Sequence, residues 1–215
     1  MALSIDGISI FTSRELIYVK SVLPLKTLSS AVVGGGFRSV RHIINFHVEK
    51  NYHCANPSAD LRARARQQRV DGPSVGLLTA ADMRKARTAF YQADGLTVGA
   101  VVTAGISNAA SAGLTPPYSY KAGTINIILL LDARLSRNAM LNAVITATEA
   151  KCAVLQSMKI ITSSGDPATG TSTDTVTVAA TDRGVLQSYA GPATTIGWLI
   201  ARAVRTALQA SLTAR

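Results

Sequence analysis

The sequence predicts an α+β fold, a mixed and largely antiparallel sheet or two sheets with three main helices packed on them, in one domain spanning residues 1–215. Three observations lead there. Short apolar or alternating runs outnumber helical stretches. The early runs have no helix between them and so pair as antiparallel neighbours, whereas the later ones alternate with 3.6-residue periodicity. Hydrophobic residues make up 47% of the chain but aromatic residues only 5%. The core must therefore be filled by Ala, Val, Leu and Ile, which suits layered packing of strands and helices.

The elements follow in order. Two strands are expected over 3–12 and 15–22, with Asp6-Gly7 as a tight turn in the first and Pro24 breaking the second. Residues 29–33 read as a buried strand that ends in Gly34-Gly35-Gly36. Residues 39–49 alternate cleanly, with Val40, His42, Ile44, Phe46 and Val48 on one face and Ile43, Asn45 and His47 on the other. Residues 51–73 form the longest irregular segment, helical at most over 60–69. A short strand over 75–78 is expected to pass directly into a helix that Thr79 caps and Gly95 ends, buried along Met83, Ala86 and Phe90.

Residues 96–103 and 124–131 are near-continuously apolar, as central strands are. A loop is expected over 113–121. A long helix runs over 136–157 with Ser136 as its N-cap and Leu141, Ile145, Cys152 and Leu155 as its apolar stripe. A strand near 159–162, a polar loop over 163–170 and a strand over 173–180 follow. The last helix, over 195–212, carries Ile196, Leu199, Ile200, Ala203, Val204, Ala207 and Leu208 at helical spacing.

Composition excludes some classes of function. No apolar run reaches the roughly 20 residues of a membrane span, and the first residues lack a signal-peptide pattern. The expected location is therefore cytoplasmic, with Cys54 and Cys152 reduced. The net charge of +10 suits nucleic acid. The basic residues are dispersed, however, and few aromatics accompany them for base stacking, so no nucleic-acid partner is expected. The one dense basic patch is Arg62, Arg64, Arg66 and Arg69, a solvated face or a phosphate contact. His42, His47 and His53 cluster beside Cys54, but His42 and His47 take opposite strand faces, so no metal site is expected.

Polar residues that intrude on apolar faces are the candidates for chemistry. Asp174 shares a strand face with Val176, Val178 and Ala180, where a carboxylate must be paired or shift its pKa. Glu149 edges the long helix together with Asn138, Asn142 and Gln156, and Lys151 takes the opposite edge. Asn126 opens a central strand and must find partners or orient a substrate amide. Gly34, Gly35 and Gly36 leave backbone N–H groups open to an anion or oxyanion. The segment 168–173 is rich in hydroxyls and too polar for a core.

The stretches SSAVVGGG at 29–36, VGLLTAA at 75–81, TAGISN at 103–108, GTINI at 123–127, TEAK at 148–151 and ATGTSTD at 168–174 resemble, in this order, those of the adenosylcobinamide amidohydrolases. Ser172 stands where the family pattern has glycine, and a small residue is kept. The resemblance implies an enzyme that cuts the amide joining a corrinoid propionyl group to its aminopropanol arm, releasing adenosylcobyric acid for cobalamin salvage. It implies a corrinoid as substrate, with no cofactor, and leaves a homo-oligomer open.

Amide hydrolysis needs a nucleophile, an oxyanion site and an acid for the leaving amine. Two routes are open. Water attacks with Glu149 or Asp174 as base and Lys151 or backbone N–H groups stabilising charge, or Thr169, Thr171 or Thr173 attacks covalently. Asn108, Asn126, Thr169, Gly170, Thr173 and the glycine run are the expected substrate contacts. The competing class is a corrinoid-binding protein without turnover.

Overall fold

The computed structural model describes residues 3–117 and 123–214. In chain order the elements are β1 (Ile8–Thr12), β2 (Leu16–Ser29), β3 (Gly36–His47), α1 (Pro57–Gln67), β4 (Ser74–Thr79), β5 (Arg87–Ala93), β6 (Leu96–Ala104), β7 (Ala109–Ala110), β8 (Ile125–Asp132), β9 (Arg134–Leu135), α2 (Arg137–Ser157), β10 (Gly170–Thr171), β11 (Thr175–Ala180), β12 (Leu186–Gln187) and α3 (Thr195–Thr213). The fold is α+β, as expected. The main sheet runs β4-β3-β2-β11-β8-β6-β5, with β1 added to β2, and two-stranded sheets form from β7 with β10 and β9 with β12. Pairing is antiparallel except at β3–β4, β8–β11 and β9–β12.

The sheet bends back so that its two halves face each other. Ile17, Val19, Ile43, Val75 and Leu77 of the β2-β3-β4 half share one buried cluster with Val101, Ile128, Leu130 and Ala179 of the β11-β8-β6 half. Alternate residues of β8 point the other way: Ile127, Leu129 and Leu131 pack with α2 and α3. On the far side Leu16, Ile44 and Phe46 meet Leu61 of α1. The layers are thus helix, half-sheet, half-sheet, helix pair. Each fully buried Leu or Ile contributes about 1.5–3 kcal/mol, and β8 is apolar from Ile127 to Leu131 because both its faces are covered.

The bend lies in β2. Its register with β3 slips between Lys20 and Leu25, so one long strand serves both halves. The expectation that Pro24 ends a strand is therefore corrected: Pro24 sits in a bulge, where its missing N–H costs no ladder bond. The separate strand expected over 29–33 is the end of β2, followed by a bridge from Val33 to Gly76. The bulge also breaks the clean alternation expected of 39–49, because Val40 joins the same inner cluster as Ile43.

The helix expected from Thr79 to Gly95 is not formed. Asp82 caps one short turn at Met83–Lys85, and β5 then pairs with β6 through a hairpin at Asp94-Gly95, both with positive φ. That dipeptide is a strong hairpin signal, and Phe90 lies over Gly99, where a Cβ would collide with its ring. The third helix is instead α1, with Asn56 accepting from Ala59 N–H at 3.0 Å and Pro57 in its first turn. The strand expected near 159–162 reduces to a bridge between Ile161 and Pro167. The loop expected over 113–121 lies partly outside the described residues.

α2 begins at Ser136, whose hydroxyl accepts from Ala139 N–H at 3.0 Å, and it buries a different face from the one its large residues suggest. Ala139, Ala143, Ala147 and Ala150 are buried, whereas Leu141 and Ile145 are 49% and 53% exposed. Small side chains let α2 lie close against α3 and β11.

Candidate active site

β8 and β11 run parallel and adjacent, so the segments that lead into them, 123–124 and 170–174, meet at one end of the sheet. Asp174 sits just before β11 and turns toward α2. Its Oδ2 is ion-paired with Lys151 Nζ and accepts Thr171 N–H at 3.1 Å. Its Oδ1 accepts Ile125 N–H at 3.0 Å and the Thr171 hydroxyl at 2.5 Å. The two charged side chains are only 13% and 9% exposed. A buried carboxylate is tolerable there because a cation and three hydrogen bonds satisfy it. Gly170 is part of the fit: a Cβ at that position would strike Asp174 Oδ2 and come within 2.7 Å of Lys151 Nζ.

The Gly123 carbonyl is the second junction. It accepts from Asn108 Nδ2 at 2.8 Å, from the Thr173 hydroxyl at 2.9 Å and from the Thr171 hydroxyl at 3.5 Å. Asn108 Nδ2 also donates to the Ser172 hydroxyl at 2.6 Å. Thr169 takes no part in this junction, because its hydroxyl accepts Ala112 N–H at 2.9 Å.

A third group lies between the half-sheets. Asn126 Nδ2 donates to Asn45 Oδ1 at 3.0 Å and to the Leu78 carbonyl at 2.9 Å. Asn45 Nδ2 donates to the Thr103 hydroxyl at 3.0 Å. The Thr124 hydroxyl contacts Asn126 Oδ1 at 3.1 Å and donates to the Thr173 carbonyl at 2.8 Å. This chain couples β3, β4, β6 and β8 and ends at the loop that carries Thr171 and Asp174.

The cleft beside these groups has a volume of about 340 Å³. Thr124, Thr173 and Thr175 line it, together with Leu77 to Ala80 and with Tyr52, His53 and Cys54. Tyr52 donates to Asp60 Oδ2 at 2.9 Å. Burial first, then its contacts with Cys54 and Asp60, push the Tyr52 phenol above its ordinary range.

Of the residues singled out from sequence, Lys151, Asp174, Thr171, Gly170, Thr173, Asn108 and Asn126 are joined by these contacts, and of these seven Thr173 lines the cleft. Glu149 is not among them: it is exposed on α2, on the face turned away by the alanine packing. Lys151, expected at a helix edge, is buried. Gly34, Gly35 and Gly36 line no part of this cleft. Gly34 (φ +72°) abuts the Ser74 carbonyl, and a Cβ on Gly35 would stand 2.8 Å from the Ala31 carbonyl oxygen, so these two serve close backbone packing, whereas Gly36 (φ +74°) serves a left-handed backbone with open space around it.

Sequence reasoning missed Tyr52, His53 and Cys54 as wall residues, and their position at the end of an irregular segment was the available signal. His47 contacts the Ala81 carbonyl at 3.2 Å and His42 the Tyr18 hydroxyl at 2.8 Å. Among the described residues no group of three His, Cys, Asp or Glu side chains converges on a metal position, both cysteines are free thiols, and no helix is long and apolar enough to cross a membrane.

Comparison with known proteins agrees with the motifs that meet here. The chain is 36% identical over 195 residues to the adenosylcobinamide amidohydrolase of Methanosarcina mazei, a match covering 86% of this chain and 90% of the relative. It is 35% identical over 125 residues to that of Halobacterium salinarum, covering 55% and 51%. The crystal structure of the PH0078 protein from Pyrococcus horikoshii is similar in fold alone, with a TM-score of 0.51, 12% identity and coverage of 96% of this chain and 83% of that one. The sequence profile described as adenosylcobinamide amidohydrolase matches residues 1–215, and the chain therefore belongs to this family of enzymes.

Proposed function

We propose that this chain hydrolyses the amide between the corrinoid propionyl side chain and aminopropanol in adenosylcobinamide, giving adenosylcobyric acid and the free amino alcohol, with Thr171 as nucleophile. One observation carries the residue assignment. Of the three candidate threonines, Thr171 alone donates to a carboxylate, at 2.5 Å from Asp174 Oδ1, while Lys151 holds the other oxygen. Thr173 donates to a carbonyl and Thr169 is engaged by a backbone N–H. A nucleophile, a base and a group that orients the base are therefore in one line.

In this reading the Thr171 oxygen adds to the amide carbonyl as its proton passes to Asp174. The carbon–nitrogen bond then breaks and the amine leaves with that proton. Water next attacks the resulting threonine ester, again giving a proton to Asp174. The acid departs and the Thr171 hydroxyl is restored. Lys151 keeps Asp174 in place through both steps. The corrinoid is substrate and the chemistry calls on no cofactor.

The test incubates the protein with adenosylcobinamide and follows aminopropanol and adenosylcobyric acid by mass spectrometry. Release of both is expected, with a corrinoid ester trapped on Thr171 by acid quench. Thr171→Ala is expected to lower kcat by at least roughly 10²–10⁴-fold, the range that activation of a nucleophile supplies, and Thr171→Ser to retain part of it. Full activity in Thr171→Ala removes the nucleophile assignment. Tight corrinoid binding with no amine released favours a carrier instead.

A further inference from the structure

A second cleft of about 390 Å³ lies on the other side of the Val32–Val33 segment from the first. Val33, Val40, Ala65 and Val70 contribute its apolar floor, and Arg38, Arg62 and Arg66 stand around it. The arginines come from two elements: Arg38 from β3, and Arg62 with Arg66 from successive turns of α1. No acidic side chain lines this cleft among the described residues. Of the two nearby carboxylates, Asp60 is engaged by Tyr52 and Arg64, and Asp71, which lies between Val70 and Gly72, does not line the cleft.

That arrangement has a cost. Like charges four residues apart on a helix repel, and Arg38 faces the same space. Arg66 near the C-terminus of α1 complements the helix dipole, but Arg62, a turn earlier, and Arg38, on a strand, gain nothing from it. A multiply charged oxyanion would relieve the repulsion and offer each guanidinium a fork of acceptors. Gly72, with φ +91°, and Ser74 bring backbone close to the same space. The apolar floor leaves room for the organic part of an ester.

We propose that the cleft bounded by Arg38, Arg62 and Arg66 is a binding site for a phosphate-bearing ligand, separate from the cleft in which the amide is cut. The ligand binds as its dianion, with the phosphoryl oxygens on the arginines and its body on Val33, Val40 and Val70. Its phosphate is either free inorganic phosphate or the terminal group of a small organic ester.

The test titrates inorganic diphosphate into the full chain by calorimetry at constant ionic strength, with sodium chloride as the control. Saturable binding is expected. Each arginine removed should weaken it roughly tenfold, as charge-assisted hydrogen bonds do, so Arg62→Ala/Arg66→Ala should lose about a hundredfold and Arg38→Ala about tenfold. These side chains are exposed and repel one another, so the melting temperature without diphosphate should not fall. Absence of saturable binding, or equal binding by the wild type and the double variant, overturns the site.

A further arm identifies the source of the phosphate by titrating inorganic phosphate and phenyl phosphate in turn. Tighter binding of the ester assigns the apolar floor to its organic part, and equal or weaker binding assigns the site to free phosphate. Calorimetry does not depend on turnover, so failure of the site and failure of the amidohydrolase reading are distinguishable.

Discussion

Two buried polar groups flank the candidate catalytic loop, and they differ in what holds them. The Asn45–Asn126 chain is neutral: it runs between two half-sheets through hydrogen bonds of 2.9–3.1 Å. The Lys151–Asp174 pair is ionic and joins α2 to the loop before β11. Neutral amides lose modest energy when one partner goes, because each bond contributes about 1 kcal/mol net. A buried charge left alone costs far more. The first group is therefore expected to adjust the shape of the cleft, and the second to decide whether the loop exists at all.

The strongest way to break this contrast is Lys151→Met, which keeps the length of the side chain and removes its charge. It strands the Asp174 carboxylate, and stability should fall by about 3–5 kcal/mol, read as a lower denaturant midpoint. Hydrolysis should fall with it, since Thr171 loses a fixed partner. A loss below about 1 kcal/mol would place the pair with exposed ion pairs instead.

Gly170→Ala probes the same pair sterically. Crowding Asp174 and Lys151 should cost about 1–3 kcal/mol in thermal or denaturant unfolding, with kcat reduced more than KM is raised. Asn126→Ala tests the neutral group. It leaves Asn45 Oδ1 and the Leu78 carbonyl short of a donor, at a cost of about 1–3 kcal/mol, and should act mainly on KM. The smallest effect belongs to Glu149→Gln. As an exposed residue it should change stability by no more than about 0.5 kcal/mol and leave kcat intact, and a large loss of turnover would return Glu149 to the catalytic group.

Both polar groups were legible in the sequence as residues that break an apolar pattern, Asn126 on a central strand and Asp174 beside Val176 and Val178. Alternation identifies such residues because a strand face is either buried or not. Their partners were less legible. Lys151 and Glu149 are two positions apart on α2, so only one can face the core, and the apparent apolar stripe pointed to the wrong side. Alanines carry little hydrophobic weight in a periodicity, yet they set how closely a helix approaches.

The hairpin at Asp94-Gly95 was obscured by the capping pattern at Thr79 and Asp82, which folds locally into one short turn. Asn45 met Asn126 only through the bend of the sheet, a long-range feature that no local pattern encodes. The second cleft shows the same limit: Arg62 and Arg66 read as a solvated face or a phosphate contact, and it takes Arg38 of β3 on the same cleft to favour the second.

The bend in β2 also bears on how the chain reaches this state. Ser29, at the end of that strand, hydrogen-bonds Thr177 of β11, 148 positions later, at 2.7 Å, and β11 occupies the middle of the sheet. A ribosome that has delivered everything up to residue 174 still lacks the strand that joins the two halves. Until then the inner edge of β8 stays open, and such distant closures form slowly. Maturation of the enzyme thus waits on β11, and nascent chains are most exposed to aggregation and proteolysis just before that strand emerges.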